Sequence, residues 1–359
     1  MKKSFLALLL VFCLLVGGCD SWLDGSYASV TPHAAHQSQI NQGLVTVSTT
    51  QDCISFLVDM VENGLEYAVF ALDPNNVDAI LEKLDTSISY VTGNTPIAAF
   101  TVSKMSYEVG SAAGVQAVGI TVSYNTNQLA TKSMRKAADN VKTLDLITEA
   151  LTQCKDRIVI QVEDYSYMDF DKKIREFVAQ RPDAVMETPQ MTIHSYPDTG
   201  AVRVLDVRFS YQNQLESLRS MQNYVQPVFA AAELNVRGED GDFAKITRLY
   251  SFLMERNDYR LGTSNTPAYS LLRHGVGDSM AFARVYAAMC ARAGLECYVV
   301  SGTRCGEPWS WNIVRDGDRY YHIDLLLADS LGGFHCWNDQ DMQGYIWDYS
   351  AYPACVAPY

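Results

Sequence analysis

The sequence lacks a hydrophobic run long enough to cross a membrane, and it is short of basic side chains. A membrane-spanning helix needs about 20 apolar residues, and the apolar run at 5–16 does not reach that length. The chain of 359 residues has 28 Lys and Arg against 41 Asp and Glu, a net charge of −13. Proteins that bind nucleic acids need a basic surface to neutralise phosphates. The charge balance therefore argues against a nucleic-acid partner.

The common sequence patterns of metal sites are also missing. The chain has no Cys-x-x-Cys pair and no His-Glu-x-x-His motif, and its six histidines are scattered. Cysteine pairs at short spacing are typical of structural zinc sites, and the histidine motif is typical of zinc proteases. The sequence therefore predicts no metal ion, and nothing in it indicates another cofactor.

The N-terminus has the parts of an export signal. Lys2 and Lys3 precede the apolar run, which closes on Val16-Gly17-Gly18-Cys19. A basic start, an apolar core and a small-residue site make up a secretory signal peptide. The order aliphatic, small, small, Cys resembles the lipobox of bacterial lipoproteins, in which the Cys is acylated. We therefore expect a signal peptide at 1–18 and acyl chains such as palmitate on Cys19, which hold the protein on the extracytoplasmic face of the cell membrane. The alternative is an ordinary cleaved signal with an incidental cysteine.

The chain after the signal changes character twice. Residues 19–50 are rich in small and polar side chains without a period, which is typical of a flexible spacer. Residues 51–235 contain an internal repeat, because the pairs Ser106-Tyr107 and Ser123-Tyr124 recur as Ser195-Tyr196 and Ser210-Tyr211. We place two small α+β units at 51–152 and 153–235. Neither unit contains residues that indicate catalysis, so we expect a role in recognition or spacing.

Each repeat unit is predicted to contain a β-rich run, a helix and a pair of antiparallel strands. The strand pairs are rich in β-branched and aromatic residues and are bounded by Gly, Pro or Asp, as hairpins are. The predicted elements of the first unit are 66–72, 75–85, 97–107 and 115–124, and those of the second are 157–162, 169–180, 190–196 and 202–211.

Residues 236–359 form the third segment, which is predicted to contain helices followed by an antiparallel sheet. The helices are expected at 242–256 and 278–293, the second with apolar residues at helical spacing. Strands are expected at 296–301, 310–315 and 319–326. In papain-like enzymes this layout places a nucleophile at a helix N-terminus, where the helix dipole and an adjacent imidazole favour the thiolate.

Several stretches of this segment resemble the bacterial transglutaminase-like domains. Residues 293–302 (AGLECYVVSG), 306–312 (GEPWSWN) and 319–324 (RYYHID) look like the family's AGIEC.VVSG, GEPHAWN and KWYHVD motifs. The resemblance covers roughly a third of the chain, in the family's order. It implies an α+β protein with a papain-like, transglutaminase-like C-terminal domain, preceded by the two small repeat units.

The resemblance also implies that two of three catalytic positions are changed. Ser279 stands where the family has its nucleophilic Cys, Trp309 where it has its catalytic His, and Asp324 at the retained third position. A serine hydroxyl needs a general base within hydrogen-bond reach, whereas the indole nitrogen is only a donor. The comparison with the family therefore predicts a catalytically inactive domain.

Two other catalytic arrangements remain open. His322 lies two residues before the retained aspartate, on the same face of a regular strand, so a Ser279–His322 dyad is conceivable. Cys305 precedes Trp309 by four residues and is a candidate for a relocated nucleophile. The alternative for this thiol is an inert side chain or a disulfide with Cys336 or Cys355.

Aromatic side chains are the remaining candidates for a binding site. Trp309 and Trp311 fall on one face of a predicted strand, and Tyr320 lies on the next strand. Such residues either fill the former site as core or form a rigid platform for a peptide or a sugar. We expect a non-enzymatic, lipid-anchored surface protein that binds peptide, protein or cell-wall material. The alternative is a residual transglutaminase- or peptidase-type hydrolase acting on surface proteins or cell-wall peptides.

Overall fold

The computed structural model describes residues 44–238, 241–262 and 264–356. The predicted signal peptide at 1–18, the lipidation site Cys19 and most of the predicted spacer at 19–50 lie outside the described residues. Within the described ranges, no helix combines the length and the apolar character needed to traverse a bilayer. The chain divides into two compact units between Leu129 and Ala130.

The first unit contains a four-stranded sheet with helices packed on one face. The strand order is β1-β2-β4-β3, with β1 parallel to β2 and the other pairs antiparallel. Its core joins both long helices to alternate residues of the sheet, such as Leu57, Phe70, Leu84 and Ile120. The elements are β1 (Val45–Val47), α1 (Thr50–Glu62), β2 (Tyr67–Leu72), α2 (Val77–Asn94), α3 (Pro96–Thr101), β3 (Val102–Ala112), β4 (Val115–Tyr124) and α4 (Gln128–Thr131).

The fold begins earlier than the predicted end of the spacer at residue 50. β1 pairs with β2, and Val47 is fully buried. A capping box starts α1, because Asp52 N donates to Thr49 Oγ1 at 3.1 Å and Thr49 N donates to the Asp52 carboxylate at 2.9 Å. The prediction of a spacer over 45–50 was therefore wrong. A three-residue strand is too short to show a hydrophobic period in the sequence.

The second unit begins with a sheet of the same connectivity as the first. Its order is β5-β6-β8-β7, again with one parallel pair, β5 with β6. The elements are β5 (Arg135–Asp139), α5 (Asn140–Thr152), β6 (Arg157–Asp164), α6 (Phe170–Gln180), β7 (Gln190–Tyr196) and β8 (Arg203–Ser210).

The recurring Ser-Tyr pairs have a common structural role at the end of β4 and β8. Tyr124 Oη donates to the carbonyl of Leu65 at 3.0 Å, and Tyr211 Oη donates to the carbonyl of Lys155 at 3.2 Å. Each carbonyl lies two residues before the strand that pairs with β4 or β8. Burial raises the pKa of Tyr124 to about 12 and also raises that of Tyr211, so both hydroxyls stay protonated donors.

The sheets divide the chain differently from the predicted ranges 51–152 and 153–235. β5 and α5 were assigned to the first unit. In the structure, β5 is a strand of the second sheet, and α5 packs in the core of that sheet. The segment predicted as one strand at 97–107 begins as α3, which has Pro96 at its first position, a favoured place for proline. The prediction missed β5 because Arg135–Asp139 is mostly exposed and polar.

The C-terminal part of the second unit has helices packed on one face of an antiparallel sheet. The strand order is β13-β12-β11-β14, and α10 packs across β11 and β12. This arrangement confirms the predicted α+β class. The elements are α7 (Leu215–Asn235), α8 (Asp242–Met254), β9 (Asp258–Tyr259), α9 (Pro267–His274), β10 (Val276–Gly277), α10 (Ser279–Arg292), β11 (Cys297–Arg304), β12 (Glu307–Asp316), β13 (Arg319–Ile323), α11 (Leu325–Ser330), β14 (Tyr345–Ile346) and a 3₁₀ turn (Tyr349–Ala351).

Helix α7 belongs to this C-terminal core, although the predicted domain boundary at 236 lies after it. Its apolar residues Leu218, Val225 and Phe229 share a core with α8 and α10. In the same core, Tyr286 Oη donates to the carbonyl of Ile246 at 2.9 Å, which ties α10 to α8. The helix that begins with Ser279 is thus tied to the neighbouring helix of the same core.

Candidate functional site

Ser279 is the first residue of α10. Asp278 caps the helix, since its carboxylate accepts a hydrogen bond from Ala281 N at 2.8 Å. Ser279 is 8% exposed, and its Oγ accepts a hydrogen bond from Ser310 N at 3.2 Å. Within the described residues, no imidazole or carboxylate bonds to this hydroxyl. The hydroxyl therefore lacks the base that would make it a nucleophile.

Trp309 and Asp324 are brought together by the sheet. Trp309 Nε1 donates to Asp324 Oδ2 at 2.7 Å. Asp324 is 1% exposed and caps α11, where its Oδ1 accepts from Leu326 N and Leu327 N, both at 3.1 Å. Its Oδ2 also accepts from Tyr345 Oη at 2.5 Å. Four donors satisfy this buried carboxylate without an imidazole.

Arg304 and Tyr345 complete the surroundings of the carboxylate. The Arg304 guanidinium lies 5.2 Å from the centre of the Trp309 ring, and its Nη1 lies 3.8 Å from Asp324 Oδ2. Burial raises the pKa of Tyr345, and the Asp324 charge raises it further, so the phenol remains a donor. The sequence reasoning missed both residues, because one ends β11 and the other lies in β14, and no spacing links them to Asp324.

Comparison with known proteins supports the C-terminal assignment. Residues 230–349 match the model of the Transglutaminase-like superfamily. The C-terminal domain is a transglutaminase-like domain. The match begins inside α7, in agreement with the packing of that helix in the C-terminal core.

Three solved structures are similar to the chain at low identity. A candidate cysteine protease from Cytophaga hutchinsonii has 12% identity and a TM-score of 0.27, over 42% of this chain and 65% of that one. A TGase has 11% identity and a TM-score of 0.27, over 47% of this chain and 51% of that one. A candidate protease from Parabacteroides distasonis has 8% identity and a TM-score of 0.23, over 60% of this chain and 50% of that one. The chain thus spans between half and two thirds of these proteins. No curated protein matches it.

His322 does not form the dyad with Ser279 that the sequence left open. Trp311 Nε1 donates to His322 Nδ1 at 2.9 Å, and His322 Nε2 lies 2.8 Å from Asp339 Oδ1. Because the indole can only donate, the ring proton resides on Nε2 and is donated to Asp339. Burial lowers the pKa of His322, against the opposing effect of Asp339. With both nitrogens engaged, this histidine has no free position for Ser279.

The three aromatic residues predicted to form a platform are separated in the transglutaminase-like domain. Trp311 is 1% exposed and packs against Tyr345, with ring centres 5.0 Å apart, so it belongs to the core. Tyr320 pairs with Arg315 on β12 and donates to Glu296 Oε1 at 3.1 Å. Trp309 lies six residues before Arg315, about 20 Å along the strand at roughly 3.3 Å per residue. The prediction of one shared surface was therefore wrong.

Trp309 instead shares a cleft with residues from α8, β9 and α11. Its ring centre lies 5.4 Å from that of Tyr259. The two rings and Arg304 line a cavity of about 280 Å³, together with Asp258 and Asp329. Both carboxylates are exposed and form no ion pair in the described part of the chain. The cleft thus combines a partly exposed aromatic wall with charged groups of both signs.

Cys305 lies at the tip of the β11–β12 hairpin, where it and Gly306 have φ angles of 52° and 88°. Two left-handed residues make a tight hairpin turn that matches the strand twist. Cys305 N donates to the carbonyl of Gly344 at 2.7 Å, while the described residues make no hydrogen bond to its thiol. Across the described ranges, all seven cysteines are unpaired, including the suggested partners Cys336 and Cys355. Nothing around Cys305 therefore activates it as a nucleophile.

One group of side chains has the donor atoms of a metal site. The ligand atoms of His322, Asp339 and Cys355 all lie within 4.8 Å of one another. In the described structure the three residues are joined by hydrogen bonds, since His322 Nε2 donates to Asp339 Oδ1 at 2.8 Å and Cys355 N donates to Asp339 Oδ2 at 3.0 Å. Burial raises the pKa of the Cys355 thiol to about 12.

Proposed function

We propose that the protein is a membrane-anchored extracytoplasmic lipoprotein whose transglutaminase-like domain binds peptide, protein or cell-wall material without turning it over. One observation carries the proposal. The Trp309 indole takes the hydrogen bond of Asp324 that an imidazole would need, at 2.7 Å. Because the indole nitrogen has no lone pair for a proton, it cannot act as a general base.

The environment of Ser279 supports the same conclusion. Its Oγ is a buried acceptor from Ser310 N. A positioned base contributes about 10²–10⁴-fold to proton transfer, and a serine with neither a base nor a lowered pKa is a poor nucleophile.

The cleft between Trp309 and Tyr259 supports a binding role. Large aromatic side chains contribute most of the affinity in many interfaces, since they bury area at little conformational cost. The neighbouring Asp258, Asp329 and Arg304 can form hydrogen bonds with amides or hydroxyl groups. A peptide or a sugar stacked on the indole fits this chemistry.

A turnover assay tests the proposal on the protein without its signal peptide. Wild type, Ser279→Ala and Cys305→Ala would be incubated with glutamine-containing peptides, with and without an amine, and the products followed by mass spectrometry. We expect no turnover by any of the three proteins. Turnover that disappears in Ser279→Ala or Cys305→Ala would instead establish the residual hydrolase or transferase.

The location is tested separately in the bacterial host. The proposal expects intact protein in the membrane fraction, with a mass that places acyl chains on Cys19 after removal of residues 1–18. Cys19→Ser should release the protein from the lipid. Wild-type protein that is secreted without acyl chains would contradict the anchor, and the turnover assay above would still decide whether the domain is catalytic.

A further inference from the structure

Arg284 on α10 carries a guanidinium group without a direct counter-charge. Its Nε is buried and has no hydrogen-bond partner, and no carboxylate of the described residues forms an ion pair with it. Asp278 attracts it electrostatically, but that carboxylate is already bonded to Ala281 N at the start of the helix. Burial lowers the pKa of Arg284, with Asp278 opposing the shift.

Other arginines of the second unit do have carboxylate partners. Arg157 and Arg208 both pair with Asp206, while Arg181 and Arg292 pair with Asp183. Arg284 is partly buried, and a buried Nε without a hydrogen-bond partner lowers the stability of the fold. An acidic protein with 41 Asp and Glu has many carboxylates available, so the unpaired state of Arg284 points to a ligand that supplies the missing anion.

Arg284 lines a cavity of about 30 Å³ between the second repeat and the transglutaminase-like domain. A water molecule needs roughly 10–15 Å³ by this measure, so the cavity has room for a group the size of a carboxylate. Val178, Val185 and Met186 supply apolar walls from the repeat. Its occupant would therefore combine a negative charge with a small apolar group.

A second, larger cavity of about 230 Å³ lies beside the first, and Pro267 and Ala281 line both. Its wall includes the exposed Arg260, which forms no ion pair within the described ranges, and Asp278. The hydroxyls of Ser264 and Ser270 also line it. Charges of both signs and two hydroxyls suit a polar body with amide groups.

The part of the second repeat unit that lines the small cavity is held against helices of the transglutaminase-like domain. Gln226 Nε2 on α7 donates to the carbonyl of Asp183 at 2.6 Å, and Arg292 Nη1 on α10 lies 3.7 Å from the Asp183 carboxylate. The 181–188 segment is therefore fixed against both helices. This attachment gives the second repeat a direct part in forming the small cavity.

We propose that these neighbouring cavities bind a carboxylate-bearing ligand, with its carboxylate on Arg284, its apolar substituent against Val178 and Val185, and its polar body beside Arg260. The planar guanidinium suits a carboxylate because two parallel hydrogen bonds can form. The source is either a small free acid or the carboxyl end of a peptide. The inference goes beyond the proposed function, because it holds whether or not Ser279 is catalytic.

Calorimetric titration and thermal unfolding of the protein without its signal peptide test the proposal. The probes are acetate, acetyl-alanyl-alanine and the C-terminal amide of that dipeptide. We expect the dipeptide acid to bind and raise Tm, and the amide to bind at least tenfold more weakly. Binding of acetate but not the dipeptide would assign the site to small acids. Equal binding of acid and amide, or no binding of any acid probe, would overturn the proposal.

Variants of Arg284 separate a binding role from a structural one. Arg284→Met should weaken acid binding at least tenfold and leave the ligand-free Tm unchanged or higher, because it removes a partly buried charge whose Nε has no hydrogen-bond partner. Arg284→Lys should keep weaker binding, and the exposed Arg256→Met should alter neither quantity. Unchanged acid binding by Arg284→Met would contradict the assignment. If Arg284→Met does not fold, the comparison of acid with amide on wild type still decides.

Discussion

Trp309, at the position where the sequence resemblance places a catalytic histidine, performs a structural task. Its indole N–H satisfies a carboxylate that is 1% exposed, together with Tyr345 and two backbone groups of α11. A buried carboxylate that loses a donor becomes less stable in the ionised form. Whichever residue relatives carry at this position, the indole supplies the donor to Asp324 and offers no general base.

Replacement of Trp309 by phenylalanine should reveal this structural task. Trp309→Phe retains an aromatic ring but deletes the donor to Asp324, so we expect a loss of about 1–3 kcal/mol in the free energy of unfolding. Urea unfolding measures it. Trp337→Phe is the matched control, since the described residues make no hydrogen bond to its indole nitrogen. Equal losses in both variants would mean that ring packing matters and the Asp324 bond does not.

His322 should make stability depend on pH. Its pKa is lowered from 6.5 in the folded protein by burial, so the unfolded chain takes up a proton first as the pH falls. Stability is then complete above about pH 6.5 and declines below it, by about 1.4 kcal/mol per unit of pKa difference at most. Urea midpoints between pH 7.5 and 5 test this, as wild type should lose more stability than His322→Gln. An equal or steeper decline in the variant would contradict a lowered pKa for His322.

At the scale of elements, β11 depends on a glycine where β14 crosses its end. A Cβ at Gly302 would lie 2.2 Å from the carbonyl oxygen of Ile346 and 3.1 Å from the Trp311 ring. β14 pairs with β11 only through Thr303 and Arg304. Because Tyr345 lies in β14, the approach permitted by Gly302 also positions a donor to Asp324.

Gly302→Ala should therefore disturb both the sheet edge and the site. We expect a loss of about 1–3 kcal/mol from overpacking, measured by urea unfolding. Gly110→Ala in β3 is a suitable control, because a Cβ there meets no atom within 4 Å. Similar stability of the two variants would show that β14 moves away without cost.

At the scale of the whole molecule, the two repeat units and the transglutaminase-like domain fall into two compact units. The division between Leu129 and Ala130 leaves the first sheet with its own core. The second sheet shares a unit with the C-terminal domain, and the 181–188 segment joins them by hydrogen bonds and an ion pair. The second repeat is thus part of the domain's support.

Fragments of the chain test this division. A fragment that starts at residue 130 should unfold cooperatively, because it retains β5 and α5, whereas one that starts at 153 should be unstable. The second fragment lacks β5 and exposes the apolar residues that α5 normally covers, including Ile160 and Leu205. Circular dichroism during heating measures the difference. Equal cooperativity of both fragments would support the boundary predicted from the sequence.

Local sequence patterns by themselves determined much of this protein. Helical spacing predicted α10, and runs of β-branched and aromatic residues bounded by turn residues predicted β4 and β7 with their observed bounds. Short motifs indicated the transglutaminase-like domain. The proposed export signal and the proposed lipidation of Cys19 remain predictions from the sequence, since both lie outside the described residues. These features are readable because each depends on residues a few positions apart.

Only the tertiary structure decided which side chains meet. Trp309 reaches Asp324 across 15 positions and Tyr345 reaches it across 21, while β5 joins a sheet despite its polar sequence. The structure also buries Trp311, engages both nitrogens of His322 and leaves Arg284 without a counter-charge. Contacts between distant residues have no periodic signal in a single sequence, because strand order and packing alone bring them together.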